Sequence, residues 1–140
     1  MTNRKLAYIV KDQKPLVLAT RETVQQACRC MWERHAGSVL VTDDQQRLSG
    51  IFTGRDAVRT LAEGKDAAET HLAQAMTPNP VTITPESRAI DALRAMSDGG
   101  FRHLPVVEDG RIWGIVSRGD FTGMEIDRLE EETHLWECIR

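Results

Sequence analysis

Apolar residues recur in one helical pattern at two places in the chain. Segments 24–31 and 89–96 each carry apolar residues spaced i, i+3, i+4 and i+7, which line up on one face of a helix. These residues are Val24, Ala27, Cys28 and Met31 in the first copy and Ala89, Ala92, Leu93 and Met96 in the second. The pattern predicts two equivalent amphipathic helices, and therefore an internal repeat.

The residues in front of each helix predict where it begins. In the second copy Thr84 is a candidate cap, Pro85 suits the first helical position and Glu86 favours a helix N-terminus. The first copy has Thr20 and Glu22 in the matching places. We therefore predict that the helices start close to these threonines.

Two short runs typical of β-strands follow each helix, separated by a polar turn of hairpin length. The first hairpin joins SVLVT to LSGIF, and the second joins HLPVV to IWGIV. A second helix is predicted from Asp56 in the first copy and from Asp120 in the second, and a strand is predicted at Val81–Ile83. The fold class is predicted as α+β, with two β-α-β-β-α repeats packed sheet to sheet about a pseudo-twofold axis. The predicted boundaries are 6–66 and 67–125, followed by a helical tail over 126–140.

Composition narrows the class of protein. The chain has 140 residues, of which 41% are hydrophobic and 28% charged, and a formal net charge of -3. These values predict a soluble globular protein without a basic surface for nucleic acid or membrane lipid. No apolar run is long enough to span a bilayer and no secretory signal is present, so we expect a cytoplasmic location. The odd number of cysteines, three, agrees with a reducing compartment.

The most informative repeat is the pair GIFTGRD (50–56) and GIVSRGD (114–120). A chain that turns from a strand into a helix presents unpaired backbone N–H groups, which favour an anion. Thr53 or Ser117 adds a hydroxyl donor, and Asp56 or Asp120 can accept two hydrogen bonds from a ribose diol. The same pattern is also typical of helix capping alone, so both interpretations stay open.

Neighbouring side chains extend the nucleotide interpretation. Arg55 and Arg118 lie inside the two turns and can supply positive charge for phosphate. Ile51 and Ile115 precede the turns and can line a slot for a flat base. Together with the hydroxyl and the aspartate, they predict a nucleotide site with its base, ribose and phosphate in order.

At this point the chain resembles a tandem pair of cystathionine β-synthase (CBS) domains, known as a Bateman module. The match rests on MTPNPVTITPES (76–87), RHLPVVEDG (102–110) and the two corner repeats, and it covers roughly residues 6–125. The resemblance implies a regulatory, non-enzymatic sensor of energy state or metabolites that binds AMP, ADP, ATP, NAD or S-adenosylmethionine in the cleft between the repeats. It also implies a homodimer that signals by conformational change to an unidentified protein target. The alternative is a ligand-free dimerisation or scaffolding module.

The resemblance also assigns roles to individual residues. It assigns the ribose-binding aspartate to Asp56 and Asp120, and the neighbouring hydroxyl to Thr53 and Ser117. The remaining residues that it implies are Thr77, Pro80 and Val81 for the Asp56 site, Pro15, Val17 and Leu18 for the Asp120 site, and Arg102 and His103 for phosphate. A half-buried structural role for His103 is the alternative.

The cysteines, the histidines and the acidic C-terminal run give weaker indications of function. Cys28 and Cys30 point to opposite sides of a helix, so they cannot bind one metal ion together. The four histidines lack metal-ligand spacing, and no catalytic motif is present, so no catalytic cofactor and no metal site are predicted. The acidic run 128–137 contains Trp136, which we predict to form a dimer contact. The alternative is a solvated face whose apolar stripe packs on its own module.

Overall fold

The computed structural model describes residues 3–121. The chain divides into two compact units, which we name after the repeat copies. The first-copy unit is 14–81, and the second-copy unit combines 1–13 with 82–140. The boundaries predicted from the repeat stay predictions, and the tail over 126–140 lies outside the described residues.

The two units contain short helices and strands that follow the repeated pattern. In chain order they are α1 (Leu6–Val10), β1 (Val17–Ala19), α2 (Val24–Arg34), β2 (Ser38–Thr42), β3 (Leu48–Thr53), α3 (Gly54–Ala62), α4 (Leu72–Ala75), β4 (Thr77–Pro78), α5 (Ala89–Gly99), β5 (His103–Glu108), β6 (Arg111–Ser117) and a 3-10 turn (Arg118–Asp120). The predicted mixture of helices and strands is confirmed, and so are both hairpins, β2–β3 and β5–β6.

The first-copy unit is built on a four-stranded sheet in the order β1-β2-β3-β4. β1 runs parallel to β2, and the other neighbouring pairs are antiparallel. The apolar face of α2 packs against one face of this sheet, as the helical spacing predicts. The buried cluster contains Val24, Ala27, Met31, Val39, Val41, Phe52, Leu72 and Ala75, with Cys28 half-buried against it. Burial of this cluster supplies the main driving force for folding of the unit.

The second-copy unit packs α5 and α1 against the β5–β6 hairpin. All four residues of the predicted α5 stripe are buried in its core, together with Leu6 and Val10 of α1. α1 was not among the helices predicted from the sequence. This helix belongs to the second-copy unit because Leu6 N–H donates to Ser87 O at 2.9 Å and Ala7 N–H donates to Pro85 O at 2.9 Å.

The strand predicted at Val81–Ile83 is wrong. Only Ile83 forms a β-bridge, parallel to Val106, through hydrogen bonds that involve Pro105 O and Val107 N–H. The strand in this part of the chain is β4, which lies a few residues before Val81 and pairs with β3. Pro80 lacks a backbone N–H, which limits how far a ladder can continue past β4.

The predicted helix starts are also wrong, by several residues. α2 begins after Thr23, whose hydroxyl accepts from Gln26 N–H at 3.2 Å while Gln26 Oε1 accepts from Thr23 N–H at 2.8 Å. α5 begins after Arg88. Thr84 belongs instead to a turn, in which its carbonyl accepts from Ser87 N–H at 3.1 Å. The hydroxyl-rich segments therefore form turns ahead of the helices.

The corner helices differ between the copies. α3 begins at Gly54, two residues before the predicted start, and its end lies close to the predicted Gly64. In the second copy, residues 118–120 form the 3-10 turn, and the predicted continuation beyond it lies outside the described residues. Among residues 3–121, no helix combines the length and the apolar character needed to cross a bilayer.

Candidate functional site

The two repeated corners share one backbone arrangement. Thr53 N–H donates to Asp56 Oδ2 at 2.9 Å, and Ser117 N–H donates to Asp120 Oδ2 at 2.6 Å. The two hydroxyls donate to the same oxygens, at 3.3 Å from Thr53 and 3.2 Å from Ser117. Each aspartate therefore satisfies the backbone donor at the end of its strand, which is a capping function.

A second hydrogen bond ties each corner to the segment before the neighbouring strand. Gly54 N–H donates to Gly37 O at 3.3 Å, and Arg118 N–H donates to Arg102 O at 3.2 Å. The backbones therefore match, whereas the side chains do not. The first copy has Gly37 and Ser38 where the second copy has Arg102 and His103.

Asp56 is enclosed by other side chains and is only 4% exposed. Its Oδ1 accepts from the Thr77 hydroxyl at 3.2 Å and lies 3.2 Å from Arg59 Nη2. The same Arg59 nitrogen donates to Ala75 O at 2.5 Å. The structure therefore brings Thr77 to Asp56 and adds Arg59, which sequence analysis missed. The signal for Arg59 was its position one helical turn after Asp56.

The other residues predicted around Asp56 lie at different depths. Ile51 is buried in β3, directly opposite Thr77 in the β3–β4 ladder. Pro80 is half-buried, whereas Arg55 and Val81 are exposed. Within residues 3–121, no hydrogen bond or ion pair joins Arg55 to Asp56.

Asp120 has a more open environment than Asp56, and its side chain is exposed. Both hydrogen bonds to its carboxylate reach Oδ2, and within residues 3–121 its Oδ1 receives none. Its backbone carbonyl accepts from Arg4 Nη2 at 2.9 Å. The carboxylate is therefore oriented by Ser117 while one of its oxygens stays accessible.

His103 lies beside this carboxylate. It pairs with Ser117 across the β5–β6 hairpin and is half-buried. Burial lowers the pKa of His103, the Asp120 carboxylate acts in the opposite direction, and the Arg102 guanidinium lowers it further. His103, Arg102 and Asp120 therefore share one electrostatic environment, in which the neutral imidazole is favoured. Arg118 is half-buried at the same corner.

Gln13, at the Asp120 corner, is another residue that was not predicted from the sequence. Its Nε2 donates to Ile115 O at 2.8 Å, and Ile115 N–H donates to its Oε1 at 2.9 Å. The side-chain amide thus pairs with β6 in the way that a strand would. Gln13 pairs through its side chain with Ile115, where Thr77 of β4 pairs with Ile51 in the first copy. Aligning the two copies through Pro15 and Pro80 places Gln13 opposite Pro78, so the sequence carried no signal for this contact.

Pro15, Val17 and Leu18 belong to the first-copy unit, where Val17 and Leu18 pair with β2. Their predicted grouping with Asp120 stays a prediction.

Residues 3–121 contain no cluster of three or more His, Cys, Asp or Glu side chains suited to a metal ion. Cys28 and Cys30 are both half-buried, and burial raises the pKa of the Cys28 thiol. The predicted dimer contact at Trp136 lies outside the described residues.

Comparison with known proteins identifies relatives of both repeat copies. A family model described as CBS domain matches residues 9–63 and 72–124. The CBS domain-containing protein CBSCBSPB2 of Arabidopsis thaliana is 41% identical over 119 residues, which are 84% of this chain and 22% of that protein. The chain therefore spans less than a quarter of the length of this curated relative.

Solved structures show the same fold. The CBS domain protein PAE2072 from Pyrobaculum aerophilum, in complex with AMP, aligns with a TM-score of 0.83 at 19% identity over 91% of this chain and 99% of that chain. The CBS domain pair of protein MJ0100, in complex with 5'-methylthioadenosine and S-adenosyl-L-methionine, aligns with a TM-score of 0.77 at 23% identity over 93% of this chain and 98% of that chain.

Proposed function

The chain belongs to the CBS domain family, and from this premise we propose that it is a regulatory protein that binds an adenosine-containing ligand at the Asp120 corner. Two solved structures of the same fold hold ligands of this class, one AMP and the other 5'-methylthioadenosine and S-adenosyl-L-methionine. At their level of identity they support the fold alone. The ligand assignment therefore rests on the chemistry of this chain.

The observation that carries the proposal is that, within residues 3–121, only one of the two carboxylate oxygens of Asp120 accepts hydrogen bonds. Ser117 holds Oδ2 with its N–H and its hydroxyl, so the side chain is already oriented before a ligand arrives. Within residues 3–121 no donor reaches Oδ1, which leaves this oxygen for the hydroxyls of a ribose. Hydrogen bonds to an ionised acceptor are stronger than neutral ones, and a pre-oriented acceptor loses little conformational freedom on binding.

The side chains around Asp120 favour ligands that carry phosphate. Arg102 and Arg118 supply two guanidinium groups, which match phosphate oxygens in charge and geometry. His103 adds a neutral imidazole that donates from one ring nitrogen. S-adenosylmethionine carries a sulfonium cation, so we expect AMP, ADP, ATP and NAD to bind more tightly at this corner.

The proposed output is a change in conformational populations. The ligand would contact β5, β6 and the 3-10 turn together, since His103, Ser117 and Asp120 lie on these three elements. A ligand shifts an equilibrium only by the difference in its affinity for the two states. We propose that the conformation favoured by the ligand presents a surface to a protein target. The role of the chain is therefore regulatory and not catalytic.

The proposal includes a homodimer, as the family resemblance implies. α2 and α3 contact each other and together expose three large apolar side chains, Trp32, Val58 and Leu61. Exposed Arg29 and Glu33 on α2 carry opposite charges next to this surface. A surface with both charges and an apolar centre can pair with a second copy of itself about a twofold axis.

Calorimetry and thermal unfolding with AMP, ADP, ATP, NAD and S-adenosylmethionine test the proposed function. We expect at least one phosphate-bearing compound to bind and to raise the melting temperature. Asp120→Asn should weaken that binding by about tenfold or more, since a charged hydrogen-bond acceptor is lost. Asp109→Asn is the matched control, because Asp109 is an exposed carboxylate in the β5–β6 turn. Failure of every compound to bind the wild-type chain would favour the scaffolding alternative.

A further inference from the structure

The two corners differ in a way that restricts how many ligands the chain can take. Resting on the proposed function, we infer that the chain binds one ligand, at the Asp120 corner, and that the Asp56 corner is closed by its own side chains. We call Arg59, Thr77 and Asp56 the clasp. The clasp serves the stability of the first-copy unit and not ligand binding.

Both oxygens of the Asp56 carboxylate already have partners. Thr53 supplies two donors to Oδ2, while the Thr77 hydroxyl and the Arg59 guanidinium occupy Oδ1. Only 4% of Asp56 is exposed. A ribose diol would therefore have to displace donors that are already in place, in a position with almost no access from solvent.

The two groups that close the Asp56 corner, Arg59 and Thr77, are themselves anchored. Arg59 donates to Ala75 O, and its Nε lies 3.7 Å from Glu63 Oε1. Thr77 is held by the pairing of β4 with β3. A ligand that displaced Arg59 from Asp56 would break a charged contact at a buried carboxylate, and losses of that kind are costly.

The described part of the second copy has no donor like Arg59 or Thr77 at its aspartate. In the sequence, Gly123 stands at the repeat position of Arg59, and glycine has no side chain to pair with a carboxylate. Gln13 pairs with Ile115 as Thr77 pairs with Ile51, and its amide is engaged with the backbone of Ile115. The donors that close Asp56 therefore have no equivalents among these residues at Asp120.

The charged side chains near the two corners also differ. The second copy presents Arg102 and His103 at the positions that Gly37 and Ser38 occupy in the first copy, and Ser38 is buried. Arg59 is already paired with Asp56, and Arg55, the other cation of this corner, is exposed and, within residues 3–121, forms no hydrogen bond or ion pair with Asp56. The first corner thus offers a phosphate-bearing ligand neither an open carboxylate oxygen nor the Arg–His pair of the second corner.

Calorimetry on the full chain with AMP and with ATP tests the inference through stoichiometry. We expect one equivalent bound per chain. Asp120→Asn should weaken binding by about tenfold or more, whereas Asp56→Asn should leave the dissociation constant within about twofold, since a closed carboxylate contributes nothing to the ligand. If Asp56→Asn fails to fold, Arg59→Gln replaces it, because the Arg59 side chain is half-exposed, and it should likewise preserve affinity and stoichiometry.

A ligand-free arm tests the clasp by itself. Thermal unfolding without nucleotide should show a clearly lower melting temperature for Asp56→Asn or Arg59→Gln than for wild type, and a smaller decrease for Asp120→Asn. Equal decreases at Asp56 and Asp120 would overturn the clasp.

The outcomes separate the inference from the proposed function. Two equivalents per chain, or weaker binding by Asp56→Asn, would overturn the single-site inference and leave the proposed function standing. Absence of binding to the wild-type chain by every compound would overturn the proposed function and the single-site assignment together. The clasp is then judged by the ligand-free arm.

Discussion

Gly50 opens the first repeated corner, and Gly50→Ala should be strongly destabilising for so small a change. A Cβ added at this position would lie 2.5 Å from Met76 Sδ and 2.8 Å from Thr77 O. The sulfur is the end of a flexible side chain and can move. The carbonyl belongs to the backbone of β4, so β4 itself would have to shift away from β3.

The expected cost follows from this contact. Forcing an extra methyl group into a packed site costs about 1–3 kcal/mol. For a chain of this size, each kcal/mol corresponds to about 4 °C in melting temperature, so we expect a decrease of about 4–12 °C. The shift of β4 would also move Thr77 relative to Asp56, and loss of their hydrogen bond would place the cost toward the upper end of that range.

Urea denaturation and thermal unfolding of the ligand-free chain measure this effect. Gly54→Ala is the matched control, because no heavy atom lies within 4 Å of its added Cβ and the residue opens α3. Alanine there should be neutral or stabilising by up to about 1 kcal/mol. If the variants at Gly50 and Gly54 melt at the same temperature, the close approach of β4 to β3 is not as the structure has it.

Three further predictions concern other parts of the chain. Burial keeps the pKa of His103 below its unfolded value, so the unfolded chain binds more protons than the folded chain. The free energy of unfolding should therefore fall as the pH drops from 7 toward 5. In urea titrations His103→Gln should make this pH dependence less steep, and an unchanged slope would contradict the burial of His103. Gln13→Leu should cost about 1–3 kcal/mol because both backbone groups of Ile115 lose their partner, whereas a midpoint equal to wild type would show that the amide pairing is dispensable. Trp32→Lys combined with Leu61→Glu should convert a dimer into a monomer in light-scattering measurements, and a dimer that persists would place the interface elsewhere.

Local patterns predicted the parts of the fold that depend on local physics. The stripe Ala89, Ala92, Leu93 and Met96 is buried as a set because helical spacing alone puts these residues on one face. The hairpins followed in the same way from alternating apolar runs and polar turns. The helix starts did not, because threonine and serine stabilise turns as readily as caps. At Thr84 the turn is favoured, since the carbonyls of the same segment accept from α1.

The composition of the candidate site was harder to predict than the fold. The sequence identifies Asp56 and Asp120 as equivalent, and their capping hydrogen bonds are equivalent. Their exposure differs because of residues far away in the chain. Thr77 reaches Asp56 only through the pairing of β4 with β3, and no spacing within the corner itself contains that information.

A duplicated motif can therefore be kept for folding in both copies while ligand chemistry is confined to one. The Thr/Ser-x-x-Asp corner satisfies a backbone donor wherever it occurs, so its presence alone says little about binding. What separates the copies is the number of donors that already face the second carboxylate oxygen. That oxygen has two donors at Asp56 and, within residues 3–121, none at Asp120. The hydrogen-bond acceptor capacity left at the aspartate, and not the repeat itself, should decide which corner senses a ligand.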